Sequence, residues 1–349
     1  MKFVLRSLLV TLLAITLIIS LVGCGSDKDK PVLKVYNWGD YIDPSVLDGF
    51  EEEYGIKVIY DEFATNEEMY AKIKAGAGDY DILIPSDYTI KRMIDEDMLH
   101  KLDFDNIPNY KYIDSRFKDL AYDPNNEYSV PYMWGTVGIL YNKKMVKEEV
   151  NSWKILWDKK YEKQILMLDS IRDSIGITLK MLEYSLNTKS DKELDEAKEA
   201  LIKQKPLVLA YVGDEVKDKM IGGEAALAVV WSGDAIFAKR ENPDLEYVIP
   251  KEGSNLWFDS VVIPKAGKNK KEAELFINYL CETEVAYQNA DYIGYASPHI
   301  EAVKMLPDEL ITDKTAYPDD SDLVGSEVLE DLAGSLVKYD RIWTEVKSR

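Results

Sequence analysis

Cysteine and histidine are almost missing from this chain, with two of each in 349 residues. Cys24 falls in an N-terminal apolar stretch, which leaves Cys281 as the single thiol for everything downstream. No internal disulfide can form there, so the fold must be held by its core. His100 and His299 stand far apart in sequence, and neither resembles a metal ligand. Positive charge is short as well: 43 Lys and Arg against 63 Asp and Glu give a formal charge of −20. That balance excludes nucleic acid as a partner, because phosphate contacts need a surplus of cations. There is no Gly-x-Ser-x-Gly elbow, no His-Glu-x-x-His and no phosphate loop. The sequence therefore offers no catalytic residues, no cofactor site and no metal site.

Long apolar runs are limited to one. Leu8 to Leu21 is almost wholly apolar, follows Lys2 and Arg6, and leads into Leu21-Val22-Gly23-Cys24. This is the pattern of a signal peptide, and it is shorter than the roughly 20 residues a membrane-spanning helix needs. The stretch resembles a bacterial lipobox, which implies cleavage before Cys24, lipid on that sulfur and export of the rest. Residues Gly25 to Lys30 would then be a tether. Losing the leader removes two cations and no acids, so the mature charge becomes −20 − 2 = −22. The expected location is the outer face of the cytoplasmic membrane, or the periplasmic space where a second membrane is present.

What is abundant is alternation of strand and helix. Leu33-Lys34-Val35-Tyr36 reads as a strand; Asp43 then offers an N-cap before Pro44, Val46, Leu47, Phe50 and Tyr54 form an apolar stripe, and Gly55 stops the helix. The βα pattern recurs at 56–75, 81–96, at 165–168 with a helix after Asp173, and at 207–221, 226–240 and 261–281. It predicts an α/β fold with mainly parallel sheets flanked by helices. A chain of this length exceeds what one core serves, which favours two lobes. Tyr128–Leu140 and Glu252–Val262 lack helix signals and read as crossovers between them. The lobes expected are 31–135 with 258–303, and 136–257 with 304–349, after a leader over 1–23 and a tether over 24–30.

Six islands set aromatics beside acids, most of them just after a strand: Tyr36 to Tyr41, Pro85 to Tyr88, Asp169 to Asp173, Trp231 to Asp234, Trp257 to Asp259, and Ile293 to Tyr295. An α/β fold presents such loops to a ligand crevice. Ring faces attract cations and cover methylene chains, while carboxylates neutralise ammonium groups. The combination describes a slot for a long, flexible, multiply charged amine. Asp234 opens a helix and is expected to be an N-cap, as is Asp43. Trp153 and Trp157 are expected in the core or on a lobe surface, while Tyr132 and Trp134 fit either the cleft or the packing. The charged run from Lys189 to Glu196 reads as a solvated helix face.

Several strings in order from residue 33 onward, including Tyr36-Asn37-Trp38, Tyr80-Asp81-Ile82-Leu83-Ile84-Pro85-Ser86, Ser129-Val130-Pro131-Tyr132-Met133-Trp134-Gly135, Trp231-Ser232-Gly233 and Trp257-Phe258-Asp259-Ser260, resemble the spermidine/putrescine-binding proteins of bacterial ABC importers. The resemblance implies a two-lobed type II periplasmic-binding fold with a polyamine in the cleft, no enzymatic activity, a membrane permease as partner, and a monomer by default. Position by position it implies aromatic walls at Trp38, Tyr41, Trp231, Trp257 and Tyr295, a lining loop at Ser86 and Tyr88, and ammonium partners at Asp173 and Asp259. Asp40 stands where the family often has Glu. Gly39, Ser170 and Leu329 replace a Thr, an Asp and a Gln of the best-known spermidine binders, while Asp87 and Asp169 add acids nearby. Putrescine preference and a rearranged spermidine site both stay open, as do a sugar-binding or iron-binding receptor of the same fold and, from another class, a secreted glycoside hydrolase.

Overall fold

The computed structural model describes residues 31–348; the leader, Cys24 and the tether lie outside the described residues. Strand β1 (Val32–Trp38) pairs in parallel with β2 (Lys57–Phe63) and β3 (Ile82–Leu83). The connecting helices are α1 (Pro44–Tyr54) and α2 (Asn66–Lys74), and α3 (Asp87–Asp95) follows β3. Local chemistry sets the bounds of α1. The Asp43 carboxylate accepts from the Ser45 N–H, Pro44 occupies the first turn, and Gly55 closes the helix at φ 67°.

The long strand β4 (Ser129–Asn142) is buried along almost its whole length and joins the two halves of the molecule. Further on come β5 (Ile165–Leu168), α4 (Ile171–Met181), α5 (Asp191–Gln204), β6 (Val208–Val212), α6 (Val216–Ile221), β7 (Leu227–Trp231), α7 (Ser232–Glu241), β8 (Leu245–Val248) and β9 (Leu256–Val262). The chain closes with α8 (Lys270–Leu280), α9 (Thr283–Ile293), two short helices α10 (Ile300–Val303) and α11 (Asp308–Ile311), and α12 (Leu336–Ser348).

From Ser129 to Thr136, β4 runs antiparallel to β9; from Val137 to Tyr141 it runs antiparallel to β7. The strand order is β2-β1-β3-β9-β4-β7-β5-β6, with β8 also on β4. Pairs built by βα units are parallel, as the alternation predicts. β4 and β9 are not successive strands of one βα unit, and they pair antiparallel with each other and with β3, β7 and β8, so each half of the sheet is mixed.

Burial follows the same division. Tyr36, Phe63, Met69, Leu83, Ile90 and Val262 pack one face of the first half of the sheet, and Leu140, Leu166, Val212, Met220, Val230 and Leu245 pack the second. The terminal helix α12 lays Tyr339, Ile342, Trp343 and Val346 against α4 and α5. Trp153 is fully buried as a core residue. Among the described residues no helix is long and apolar enough to cross a membrane.

Next to β9 the backbone turns sharply at Gly253, whose φ is +83° and where a Cβ would overlap the Gly325 carbonyl. Replacing Gly253 with Ala strains a left-handed residue and forces this turn off the 325–327 segment. We expect a loss of about 1–3 kcal/mol, seen as a lower thermal midpoint by circular dichroism; an unchanged midpoint would show that the turn relaxes freely.

Candidate ligand-binding site

The C-terminal ends of β1, β3, β5, β6 and β7, together with β9, open onto a cavity of about 410 Å³. All twelve residues expected at the cleft line it: Trp38, Asp40, Tyr41, Ser86, Asp87, Tyr88, Asp169, Asp173, Trp231, Trp257, Asp259 and Tyr295. Tyr132 and Trp134 do not; both are buried in the core, where the Tyr132 hydroxyl donates to the Tyr41 carbonyl at 2.6 Å.

Rings build the walls. Tyr295 lies edge-on to both Tyr41 and Trp257, with centroids 5.3 Å apart in each pair and planes at 86° and 73°. Gly233, in the first turn of α7, has no room for a Cβ because the Tyr295 ring lies against it. Trp38 is held by its indole N–H on the Ile84 carbonyl at 2.8 Å and tilts over Phe63. These contacts fix the rings in place, so an incoming chain meets rigid apolar faces.

Acids set the charge. Among the described residues, nine acidic side chains line the cavity (Asp40, Glu67, Asp87, Asp169, Asp173, Asp214, Glu215, Asp234 and Asp259) against one cation, Lys217. Asp87 is the first residue of α3, and Asp173 and Asp234 lie in the first turns of α4 and α7, where the helix dipole favours negative charge. Asp259 is placed differently, within β9 opposite Met133 and bridged to Ser86.

The acids are not equally available. Asp87 already receives the N–H groups of Tyr88 at 2.7 Å and Phe258 at 3.0 Å, so it ties α3 to β9 rather than offering a free oxygen. Asp169 binds Lys347 at 2.9 Å. Asp173 accepts from the Ser170 hydroxyl at 2.8 Å and from the Asn255 amide at 2.9 Å. Tyr88 is half-buried, with its hydroxyl tied to Asn66 and Glu67. Asp259 accepts from the Tyr41 hydroxyl at 2.8 Å through one oxygen, and its other oxygen is buried without a partner. So are one oxygen of Asp234, the Asn255 carbonyl oxygen and the Trp257 indole N–H. Three of these four atoms are acceptors, and the cavity asks for donors.

The sequence from residue 45 to residue 319 matches the family model for bacterial extracellular solute-binding proteins. The chain belongs to that family. This solute-binding protein is 37% identical over 323 residues to the spermidine/putrescine-binding periplasmic protein of Salmonella typhimurium, covering 92% of this chain and 93% of that one. A solved structure assigned to spermidine/putrescine ABC transport in Listeria monocytogenes matches with 47% identity and a TM-score of 0.89, over 91% of this chain and 99% of the other. The PotD lipoprotein of Treponema pallidum matches at 31% identity and TM-score 0.82, over 91% and 100%. The fold is thus the two-lobed type II arrangement of periplasmic solute receptors.

Several residues of this solute-binding protein depart from the sequence reading. The helix expected after Asp173 begins at Ile171, because Ser170 is its cap, accepting from the Asp173 N–H; this is what brings Asp173 next to the Ser170 hydroxyl. Asp234 is not an N-cap. Trp231 holds that position without a side-chain bond, and Asp234 sits inside the first turn, buried and facing the cavity. Glu67, Asp214, Lys217 and Asn255 also line the cavity and were not foreseen. Asp214 and Lys217 follow the end of β6, where the rule that ligands bind at the carboxyl ends of strands points. Leu329 does line the cavity, and it brings no polar atom. Among the described residues no group of His, Cys, Asp or Glu is placed to hold a metal ion.

Burial pushes the carboxyls of Asp259 and Asp234 up to about 7, and those of Asp173 and Asp87 upward as well. Ligand-free folded protein therefore keeps protons that the unfolded chain releases above its ordinary value near 3.8. Below that value the two states hold equal protons. As pH rises toward 7, folded carboxylates become costly, by roughly 4 kcal/mol at most for each of the two. The thermal midpoint of ligand-free protein should fall between pH 5 and pH 8, and Asp259→Asn should raise it most at pH 8 and progressively less as the pH is lowered toward 4. A wild-type midpoint that climbs across this range would contradict the burial of these acids.

Proposed function

We propose that this protein captures polyamines, spermidine or putrescine, for an ABC importer. The observation that carries the reading is the set of unpartnered acceptors on Asp259, Asp234 and Asn255 within an acid-lined, ring-walled cavity. An ammonium supplies the missing donors and the missing charge together, and the rings cover the methylenes between two ammonium groups. Asp173 stands close enough to add to the charge cost of Asp259, and the two form one anionic end. Asp234, Asp214 and Asp40 form the other, and Tyr295 faces both.

Removing water from an ammonium costs several kcal/mol unless carboxylates and hydrogen bonds replace it. Lobe closure completes that replacement, so the ligand shifts the population toward the closed form by its higher affinity for it. In this reading β4 and β9 carry the hinge, with lobes 31–135 plus 258–303 and 136–257 plus 304–349. The closed form docks on a membrane permease, and lipid on Cys24 keeps the receptor at the outer face of the membrane. The names of the relatives support the substrate class.

Isothermal calorimetry of wild-type protein with putrescine, spermidine, maltose and ferric citrate separates the candidate ligand classes, with binding expected for a polyamine alone. Asp259→Asn and Asp173→Asn should each weaken that binding at least tenfold with the fold retained by circular dichroism. Tight maltose or iron binding, or unchanged polyamine affinity in both variants, would refute the assignment.

A further inference from the structure

Among the described residues Lys217 is the one cation lining the cavity, and three acids surround its ammonium. Its ammonium lies 2.9 Å from Asp40 Oδ2 and 3.7 Å from Asp234 Oδ1, with Asp214 alongside. The side chain is 14% exposed. Burial by itself would lower this lysine, but the three carboxylates outweigh that and hold it above its ordinary value, so it is charged throughout the physiological range. The contact joins elements from the two halves of the sheet: Asp40 follows β1, and Lys217 opens α6 after β6. Gly39 permits this approach, since a Cβ there would stand 2.8 Å from Asp214 Oδ2.

On the polyamine reading, we infer that Lys217 is a specificity-determining residue: its ammonium occupies the place a third ligand ammonium would take, so that the cleft favours a diamine over a triamine. The charge arithmetic supports this. At the Asp259 end, Asp173 is the nearby acid and Arg172 partly offsets it. At the other end, Lys217 already neutralises one of the three acids Asp40, Asp214 and Asp234. One ligand ammonium at each end is served by the acids left over, whereas a further ammonium at the Asp234 end would face Lys217 at close range and share carboxylates that already hold a cation. An exposed pair of this kind would be worth little, but a lysine enclosed among carboxylates in a closing cleft is screened far less.

Competition calorimetry with putrescine and spermidine tests it on the full mature protein. Wild-type should bind putrescine more tightly, and a wild-type preference for spermidine would overturn the inference without any variant. In Lys217→Met, which keeps the length of the chain and removes its charge, the spermidine-to-putrescine affinity ratio should rise at least tenfold. Lys217→Arg should leave that ratio within threefold of wild-type. A ratio unchanged in Lys217→Met, or moved toward putrescine, would overturn the role. Wild-type protein that binds neither amine would instead sink the polyamine reading itself.

Discussion

A carboxylate taken out of water must recover a proton, a cation or a set of donors, and the cleft of this protein is organised around acids that have recovered too few. Asp259 and Asp234 each keep one buried oxygen without a partner. Burial alone would protonate them near neutrality. A cationic ligand resolves the problem in a way that water in an open cleft does only partly, and this is why the same residues that weaken the ligand-free protein would give the complex its affinity. The walls matter for the same reason: fixed rings exclude water and leave an ammonium few partners other than the acids.

The fold delivers those acids through repeated local devices. Three of them stand at the starts of helices that follow strands, where backbone N–H groups tolerate negative charge. Asp259 comes instead from β9, one of the two strands that pass between the halves of the sheet. The cavity is therefore assembled from both halves of the sheet, and any relative movement of the two changes the spacing of its charges. Lys217 and Asp40 meet across the same divide.

Much of this was readable in the chain. Periodicity identified the βα units because apolar residues recur at helix spacing after short β-branched runs, and Asp43-Pro44 with Gly55 marked both ends of α1 correctly. The aromatic and acidic islands converge because strand ends in an α/β fold converge. The segments that form β4 and β9 stand out by their lack of helix signals, but their antiparallel pairing is a tertiary outcome. The start of α4 was misplaced although Ser170-Ile171-Arg172-Asp173 has the spacing of a capping box. Asp234 was misjudged because a local rule for helix starts cannot see a lysine contributed by another element. Lys217 and Asp40 lie 177 positions apart, and nothing near either residue announces the other.

The exchange of protons for ammonium groups can be counted directly. Calorimetry of putrescine binding at pH 6.5, repeated in buffers of different ionisation enthalpy, reports the protons that leave the protein as the ligand enters. With Asp259 and Asp234 protonated near neutrality, about one to two protons should be released per ligand bound. Binding with no proton exchange, or with net uptake, would contradict the account.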